Sequence, residues 1–411
     1  MNFIYRNSNN IFLHFQLIER IIIYSGDKWS RDDNLFNLKL LITQNRSSNH
    51  FFKMQDLDEF QIQTRIGIGS FGEIYTVRST VDGKIYAAKT EPRTNRHKTI
   101  MFESKILQII QESKYAPKYI SSGLTPRFEY YVMNLLGPSL SSVLHKTEKN
   151  RLSFSSGIRV AWHLLKAIED VHNCGVIHRD IKPANILITN SVDIPIALID
   201  YGLSKIYIDE NGKHYPPRHY PGFRGTAIFA SVNAHLNKDL SRRDDLFSWY
   251  YVIVDLITAR LPWRQFDNRR DIYKSKKHFN ASKFFKSRTP ELCDVWKYIC
   301  KMTYEQKPNY KFIYSALESI MRRYKIKMDD PYDWSDLPFD ESIEVNSDDA
   351  NQNAYGALSS TKMSARHRRR RLLRQKVPLS ARRYPGLNQA PLISPRGDDT
   401  YDSQYCCCLL L

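Results

Sequence analysis

The chain has 411 residues, 42% hydrophobic and 25% charged, with a formal net charge of +18. That length allows one large two-lobed domain with tails, or two ordinary domains, and the balance of residue types is that of a folded soluble protein. The excess charge is local, since ten Lys or Arg and no Asp or Glu lie between Lys362 and Arg383, which argues against a uniformly basic nucleic-acid binder and for a patch facing anionic lipid, nucleic acid or import machinery.

Residues 1–53 show no period and no motif, and read as a poorly ordered extension in front of Met54, the expected working start. Ile11 to Tyr24 is rich in apolar residues but is broken by His14, Gln16, Glu19 and Arg20, and no small-residue cleavage site follows. From about Phe60 the pattern is strand-like: Phe60 to Ile66, Ile74 to Arg78 and Ile85 to Lys89 are β-prone runs separated by Gly-containing turns. A helix follows at roughly Asn95 to Gln111, then further β-prone sequence at Phe128 to Leu136. The character then changes. Phe154 to His172 places Ile158, Trp162, Leu165, Ile168 and Val171 in one helical stripe. Leu246 to Ala259 is apolar all round except for Asp255, too short to span a bilayer, and reads as a buried helix. Ile313 to Tyr324 is another helix. The expected fold is therefore α+β and bilobal, a β-rich N-lobe to about residue 136 and a mainly helical C-lobe from about 137 to 328, with a cleft between them. Residues 329–411 read as a disordered tail, acidic from Asp329 to Asp349 and then basic.

Cys174, Cys293 and Cys300 are scattered without metal-ligand spacing, which fits a reducing cytosol, while Cys406, Cys407 and Cys408 sit together near the end.

Four signals carry chemistry. Gly67-Ile68-Gly69-Ser70-Phe71-Gly72, with Ile74 two residues on, lets backbone amides approach phosphates. On its own it is equally a hairpin turn; the strand that follows argues against a dinucleotide-binding unit, which needs a helix there. Lys89 ends the apolar run Tyr86-Ala87-Ala88. It is either a solvated strand end or a phosphate ligand fixed by a carboxylate, and Glu103, set among Ile100, Ile106, Leu107 and Ile110, is the candidate partner. His178-Arg179-Asp180-Ile181-Lys182-Pro183-Ala184-Asn185 decides between these readings. Asp180 suits a base for an acceptor hydroxyl, Lys182 a counter-charge for a transferring phosphoryl group and Asn185 a Mg²⁺ ligand. Fifteen residues beyond Asn185, Leu198-Ile199-Asp200-Tyr201-Gly202 delivers a second carboxylate, Asp200, for Mg²⁺.

With these motifs the sequence resembles protein kinases from about Leu57 to Lys327, and more narrowly the casein kinase 1 group, most like tau-tubulin kinases. The narrower likeness rests on Leu135-Leu136-Gly137-Pro138-Ser139-Leu140, on Ser231-Val232-Asn233 in place of the usual Ala-Pro-Glu, on Arg242-Arg243-Asp244-Asp245-Leu246, on Leu261-Pro262-Trp263, on Pro216 to His235 and on Lys307-Pro308-Asn309-Tyr310. The resemblance implies ATP-dependent phosphorylation of protein Ser or Thr with Mg²⁺, by a monomer. It also implies a nucleotide pocket of Ile66, Gly67, Gly69, Ser70, Gly72, Ile74, Ala87, Lys89, Met133 as gatekeeper, Asn134 and Leu136, with Lys89, Glu103, Asp180 and Lys182 as the catalytic set. Tyr201 stands where most kinases carry Phe, a change that keeps the ring. Arg218 matches one basic position of the group's pocket for substrates already bearing phosphate. Asp267 falls where a Lys is usual there, and Arg264 is the candidate substitute. The rival readings are a catalytically dead kinase fold, which the presence of Lys89, Asp180 and Asp200 disfavours, and a nucleic-acid binder, for which no recognised module is present and no specific nucleic acid is expected.

The terminal Cys408-Leu409-Leu410-Leu411 fits a prenylation signal, and Cys406 and Cys407 are alternative palmitoylation sites. One lipid anchors marginally, and the basic block from Arg366 to Lys376 would add about 1 kcal/mol per charge at an anionic leaflet. The expected location is cytoplasmic with C-terminal membrane attachment; a nuclear-import patch is the alternative. Fractionation of cells expressing wild type or a triple Cys→Ser variant should move the variant into the soluble fraction, and equal soluble fractions would end the anchoring reading.

Overall fold

The computed structural model describes residues 57–68, 72–95, 99–147 and 149–336. Gly69, Ser70, the extension 1–53, the basic block and Cys406 to Cys408 lie outside the described residues.

The N-terminal lobe is a five-stranded antiparallel sheet in the order β1-β2-β3-β5-β4, from β1 (Phe60–Ile68), β2 (Glu73–Ser79), β3 (Ile85–Pro92), β4 (Tyr119–Leu124) and β5 (Phe128–Asn134). Helix α1 (Ile100–Ile109) packs on one face, burying Ile100, Ile106 and Leu107. Ala87 pairs with Met133 and Lys89 with Tyr131 across β3 and β5, while Ile74 of β2 faces Lys89 from the other side. The register thus points Lys89 and Tyr131 at α1, and Ala87, Met133, Ile66 and Ile74 share one apolar cluster with it.

After β5 the chain enters the helical lobe through α2 (Leu140–Lys146) and α3 (Phe154–Asn173). In α3 the stripe residues Ile158, Leu165, Ile168 and Val171 are all buried. Short strands β6 (Val176–Ile177), β7 (Ile186–Ile188), β8 (Ile196–Leu198) and β9 (Lys205–Ile206) pair as β6–β9 and β7–β8, and set the loops between them at the edge of the lobe. The remainder is α4 (Val232–His235), α5 (Arg242–Thr258), α6 (Arg269–Lys277), α7 (Ser282–Phe285), α8 (Pro290–Lys301) and α9 (Tyr310–Tyr324). Helix α5 is the central element: its apolar surface is covered all round, with Leu246, Trp249, Tyr250, Tyr251 and Val252 fully enclosed, as expected of a helix without a polar face. Its Asp255 is buried beside Arg264, whose guanidinium grips the carboxylate with two nitrogens.

The chain stays packed past the expected domain end at residue 328. Fully buried Arg159 donates to the carbonyls of Asp330 (2.5 Å) and Pro331 (2.8 Å) and lies 3.9 Å from the centre of the Tyr332 ring. Tyr332 stacks on Trp334, which is itself buried. Asp333 accepts from Ser153 N–H (2.5 Å) and the Ser156 hydroxyl (2.8 Å), completing the N-terminal cap of α3. Composition misled the sequence reading here: the segment is acidic, but its two aromatics and the buried arginine waiting for them order it.

His163 of α3 accepts or donates at Nδ1 with the Tyr115 hydroxyl, 2.9 Å away. Burial, reinforced by the Arg159 guanidinium, lowers its pKa from 6.5 to about 4. A histidine depressed by folding lends stability that is complete above its unfolded value and is lost as pH falls toward the folded one. Between pH 7 and pH 4 the wild type should therefore lose about 3 kcal/mol more unfolding free energy than His163→Gln, from denaturant titrations at the two pH values. Equal losses would contradict the assignment.

Candidate active site

The centre of the cleft is a buried charge cluster joining three elements. Lys89 Nζ, on β3, donates to Glu103 Oε1 (2.9 Å) and Oε2 (2.7 Å) on α1 and to Asp200 Oδ1 (2.9 Å) just after β8. Glu103 also accepts from the Tyr131 hydroxyl (3.0 Å) and from Tyr201 N–H (3.1 Å). Lys89 and Glu103 are almost wholly buried, whereas the Asp200 side chain is 33% exposed and opens toward solvent. Burial works against the Lys89 ammonium, but Asp200 and Glu103 overcome it and hold its pKa well above the usual lysine range. Burial is the larger influence on Glu103 and raises its carboxyl, with the Lys89 charge opposing. At Asp200 burial is outweighed by the Lys89 ammonium, which brings the carboxyl down to about 2 and keeps it ionised.

The loop after β6 supplies the second group. Asp180 Oδ1 accepts from the Thr226 hydroxyl (2.7 Å), and its Oδ2 lies 2.9 Å from Lys182 Nζ. Lys182 Nζ also donates to Thr226 Oγ1 (3.1 Å). Asn185 Nδ2 donates to the Asp180 carbonyl (2.9 Å) and to Oδ2 (3.3 Å), which turns the Asn185 amide oxygen away from them. Buried Asp245 of α5 shapes this loop: its carboxylate accepts from the N–H groups of His178 (2.7 Å) and Arg179 (2.8 Å) and from His172 Nε2 (2.9 Å). Arg179 and Asp200 both adopt left-handed backbone, at φ of 70° and 68°. Side chains with a Cβ pay for that conformation in strain, and here each strained residue is anchored by a buried carboxylate, Asp245 for one and Glu103, through Tyr201 N–H, for the other.

Tyr201 keeps the ring position anticipated from sequence and adds a bond, its hydroxyl donating to the Leu198 carbonyl at 3.0 Å. Gly72 is required by close approach: a Cβ there would stand 2.0 Å from the Thr90 carbonyl oxygen. Gly67 has only ordinary contacts and no such need. Ile66, Ile74, Ala87 and Met133 cluster at one wall, and Leu136 is half-buried just beyond β5. Asn134 faces elsewhere: its N–H donates to the Lys118 carbonyl and its Oδ1 accepts from Lys118 N–H (2.6 Å).

Of the two candidate anion residues, Arg218 lines a cavity and Arg264 does not. Arg218 lines this cavity of about 740 Å³ with Arg179, Lys205, Arg224, Thr99 and Phe102. Buried Asp239 holds Arg218 by two nitrogens and Lys205 at 2.7 Å. Arg264 is not among the residues lining the cavity, and its guanidinium is engaged by Asp255. Sequence reasoning passed over Thr226, Tyr131, Lys205 and Arg224 as site residues. Asp245 lies in the Arg242 to Leu246 motif, where a carboxylate at the start of a mainly apolar helix is a usable signal.

The donor set fits a nucleotide with magnesium. Asp200 Oδ2 and Asn185 Oδ1 take no hydrogen bond among the described residues, and hard carboxylate and amide oxygens are the ligands Mg²⁺ prefers.

A β-lobe carrying a buried Lys–Glu pair, set against a helical lobe carrying an Asp–Lys–Asn loop, is the bilobal kinase fold. The sequence matches the protein kinase domain family over residues 60–321, and the chain belongs to that family. It is 33% identical over 272 residues to a probable serine/threonine-protein kinase of Dictyostelium discoideum, covering 66% of this chain and 55% of that protein. It is 27% identical over 302 residues to the serine/threonine-protein kinase spe-6 of Caenorhabditis elegans, covering 71% and 78%. The chain thus spans little more than half the length of the Dictyostelium relative.

Gly72→Ala should push β2 from β3 and lower stability by about 1–3 kcal/mol, as overpacking against backbone does. A melting temperature equal to wild type would contradict the close approach.

Proposed function

We propose that the chain is an ATP-dependent serine/threonine-protein kinase of casein kinase 1 type, nearest in character to tau-tubulin kinases. The observation that carries the activity is the pairing of Lys89 with Glu103 and Asp200 in the same cleft as the Asp180–Lys182–Asn185 group. The kinase names of both relatives agree with it. The subgroup rests on the sequence motifs alone.

In this reading Asp180 orients a Ser or Thr hydroxyl and receives its proton as the oxygen bonds to the γ-phosphorus. The bond from that phosphorus to the β-phosphate bridging oxygen breaks, and ADP leaves. Lys182, beside Asp180, offsets charge on the transferring group, and Lys89 holds the α- and β-phosphates, kept in line by Glu103. Asn185 and Asp200 would hold Mg²⁺, which when bound neutralises phosphate charge. Gly67 and Gly72, with Gly69 and Ser70 beyond the described residues, would cover the phosphates, while Ile66, Ile74, Ala87, Met133 and Leu136 would enclose the base. A preference for acidic or phosphate-bearing substrates draws support from the cavity around Arg179, Lys205, Arg218 and Arg224, and not from Arg264. Protein substrates are the expected partners, with the cytoplasm as the place of action and the tail as the means of membrane attachment.

Transfer of labelled phosphate from ATP to casein tests the activity. Asp180→Asn and Lys89→Arg should each lower turnover by about 10²-fold or more, the scale of a lost transition-state contact. Near-normal turnover in both would refute the assignment.

A further inference from the structure

The segment from Thr226 to Ala230 begins with the hydroxyl that donates to Asp180. Its main-chain carbonyls are gripped from the helical side by buried donors. Lys276 Nζ, from α6, donates to the carbonyls of Ala227 (2.8 Å) and Ala230 (2.5 Å). Trp263 Nε1 donates to the Ile228 carbonyl between them (2.7 Å), and His235 Nε2 lies 3.1 Å from the Ala227 carbonyl.

Lys276 is the unusual member. It is 2% exposed, and among the described residues no carboxylate lies within ion-pair distance. Its amino nitrogen sits 4.7 Å from the Tyr251 ring centre and 5.1 Å from that of Trp263. A lysine that only lends its stem to a core turns its charged end to water; this one turns it inward. Burying an ammonium costs several kcal/mol unless fixed polar partners answer it. A methionine of similar length would fill the slot without that cost. Burial drives the Lys276 amine well below the usual lysine range, and its N–H donors are taken by two carbonyls between two aromatic faces, contacts that immobilise the chain that carries Thr226.

We propose that Lys276 is a positioning residue for the protein acceptor: by clamping the Ala227 and Ala230 carbonyls it sets the loop, and through Thr226 the rim of the Asp180 site, against which the hydroxyl-bearing segment is aligned. The inference rests on the kinase reading above. The nucleotide-facing groups Lys89 and Asp200 stand on other elements, so the effect is confined to the acceptor side.

The test uses the full chain, casein as acceptor, and Lys276→Met, which keeps the volume and removes the donor, beside Lys276→Gln, which keeps a neutral donor. Lys276→Met should lower kcat/KM for casein about tenfold or more, mainly through the KM for casein, with the Kd for ATP within about twofold of wild type. Lys276→Gln should recover part of the loss. If the Met variant does not fold, Trp263→Phe, which removes the donor to Ile228 and keeps an aromatic ring, should show the same one-sided loss at about threefold. Unchanged kcat/KM for casein in the folded variants overturns the proposal. So does a fall in ATP affinity that keeps step with casein use and with melting temperature, since that is the signature of a general core defect. A wild-type protein that transfers no phosphate to casein or to any other protein acceptor defeats the kinase reading itself, a result seen before any variant is made.

Discussion

The ammonium of Lys89 is the constraint on which the rest of the cleft depends. It is buried, so it must be answered by opposite charge. The two carboxylates that answer it come from a helix of one lobe and from a turn leaving a strand of the other. A single desolvated cation therefore fixes the position of α1 on the sheet and the distance between the lobes. Removing either carboxylate would leave a buried charge half-answered, a loss on the order of 3–5 kcal/mol, and so the cluster behaves as one unit. Glu103 widens that unit, since its oxygens also reach the Tyr131 hydroxyl and the Tyr201 amide.

A second buried carboxylate performs the same service for the loop below. Asp245 has no lysine or arginine partner among its hydrogen bonds; it is satisfied by two backbone amides and His172. Because those amides belong to His178 and Arg179, the left-handed kink at Arg179 is locked in place and Asp180 is carried into the cleft. The catalytic geometry is thus built from two rules about buried charge, one solved with side chains and one with backbone.

Much of this was legible in the sequence, for reasons that can be given residue by residue. The stripe in α3 is a periodic signal and the apolar run in α5, broken by Asp255, a compositional one, and both helices lie where the sequence places them, α5 starting four residues earlier. The Lys89–Glu103 pair could be anticipated because a carboxylate in an apolar stripe demands a partner. Strand β4 was not visible: Tyr119–Leu124 is half serine and glycine at its centre and becomes a strand only because β5 offers an edge. Helix α6 was hidden by its charge, and the Lys276 clamp with it, since nothing local distinguishes a lysine that will be buried from its solvated neighbours Lys274 and Lys277; α7, Ser-Lys-Phe-Phe, is a single turn too short to show a period. The packing of residues 329–336 was missed for the opposite reason, an acidic composition outweighing two aromatics whose partners lie far back in the chain. The engagement of Arg264 is likewise a matter of tertiary placement, with Asp255 claiming the guanidinium.

The tyrosine at 201 has a bearing on pharmacology. The ring that follows Asp200 is buried, and a ligand reaching past it into the lobe interior would have to displace it. Here that ring is tethered by a phenol–carbonyl bond to Leu198, and its own amide is tied to Glu103. A compound that needs the ring displaced must break both tethers, whereas one that leaves the turn alone meets no such barrier. Ligands of the second kind are the natural starting point for chemistry against this protein.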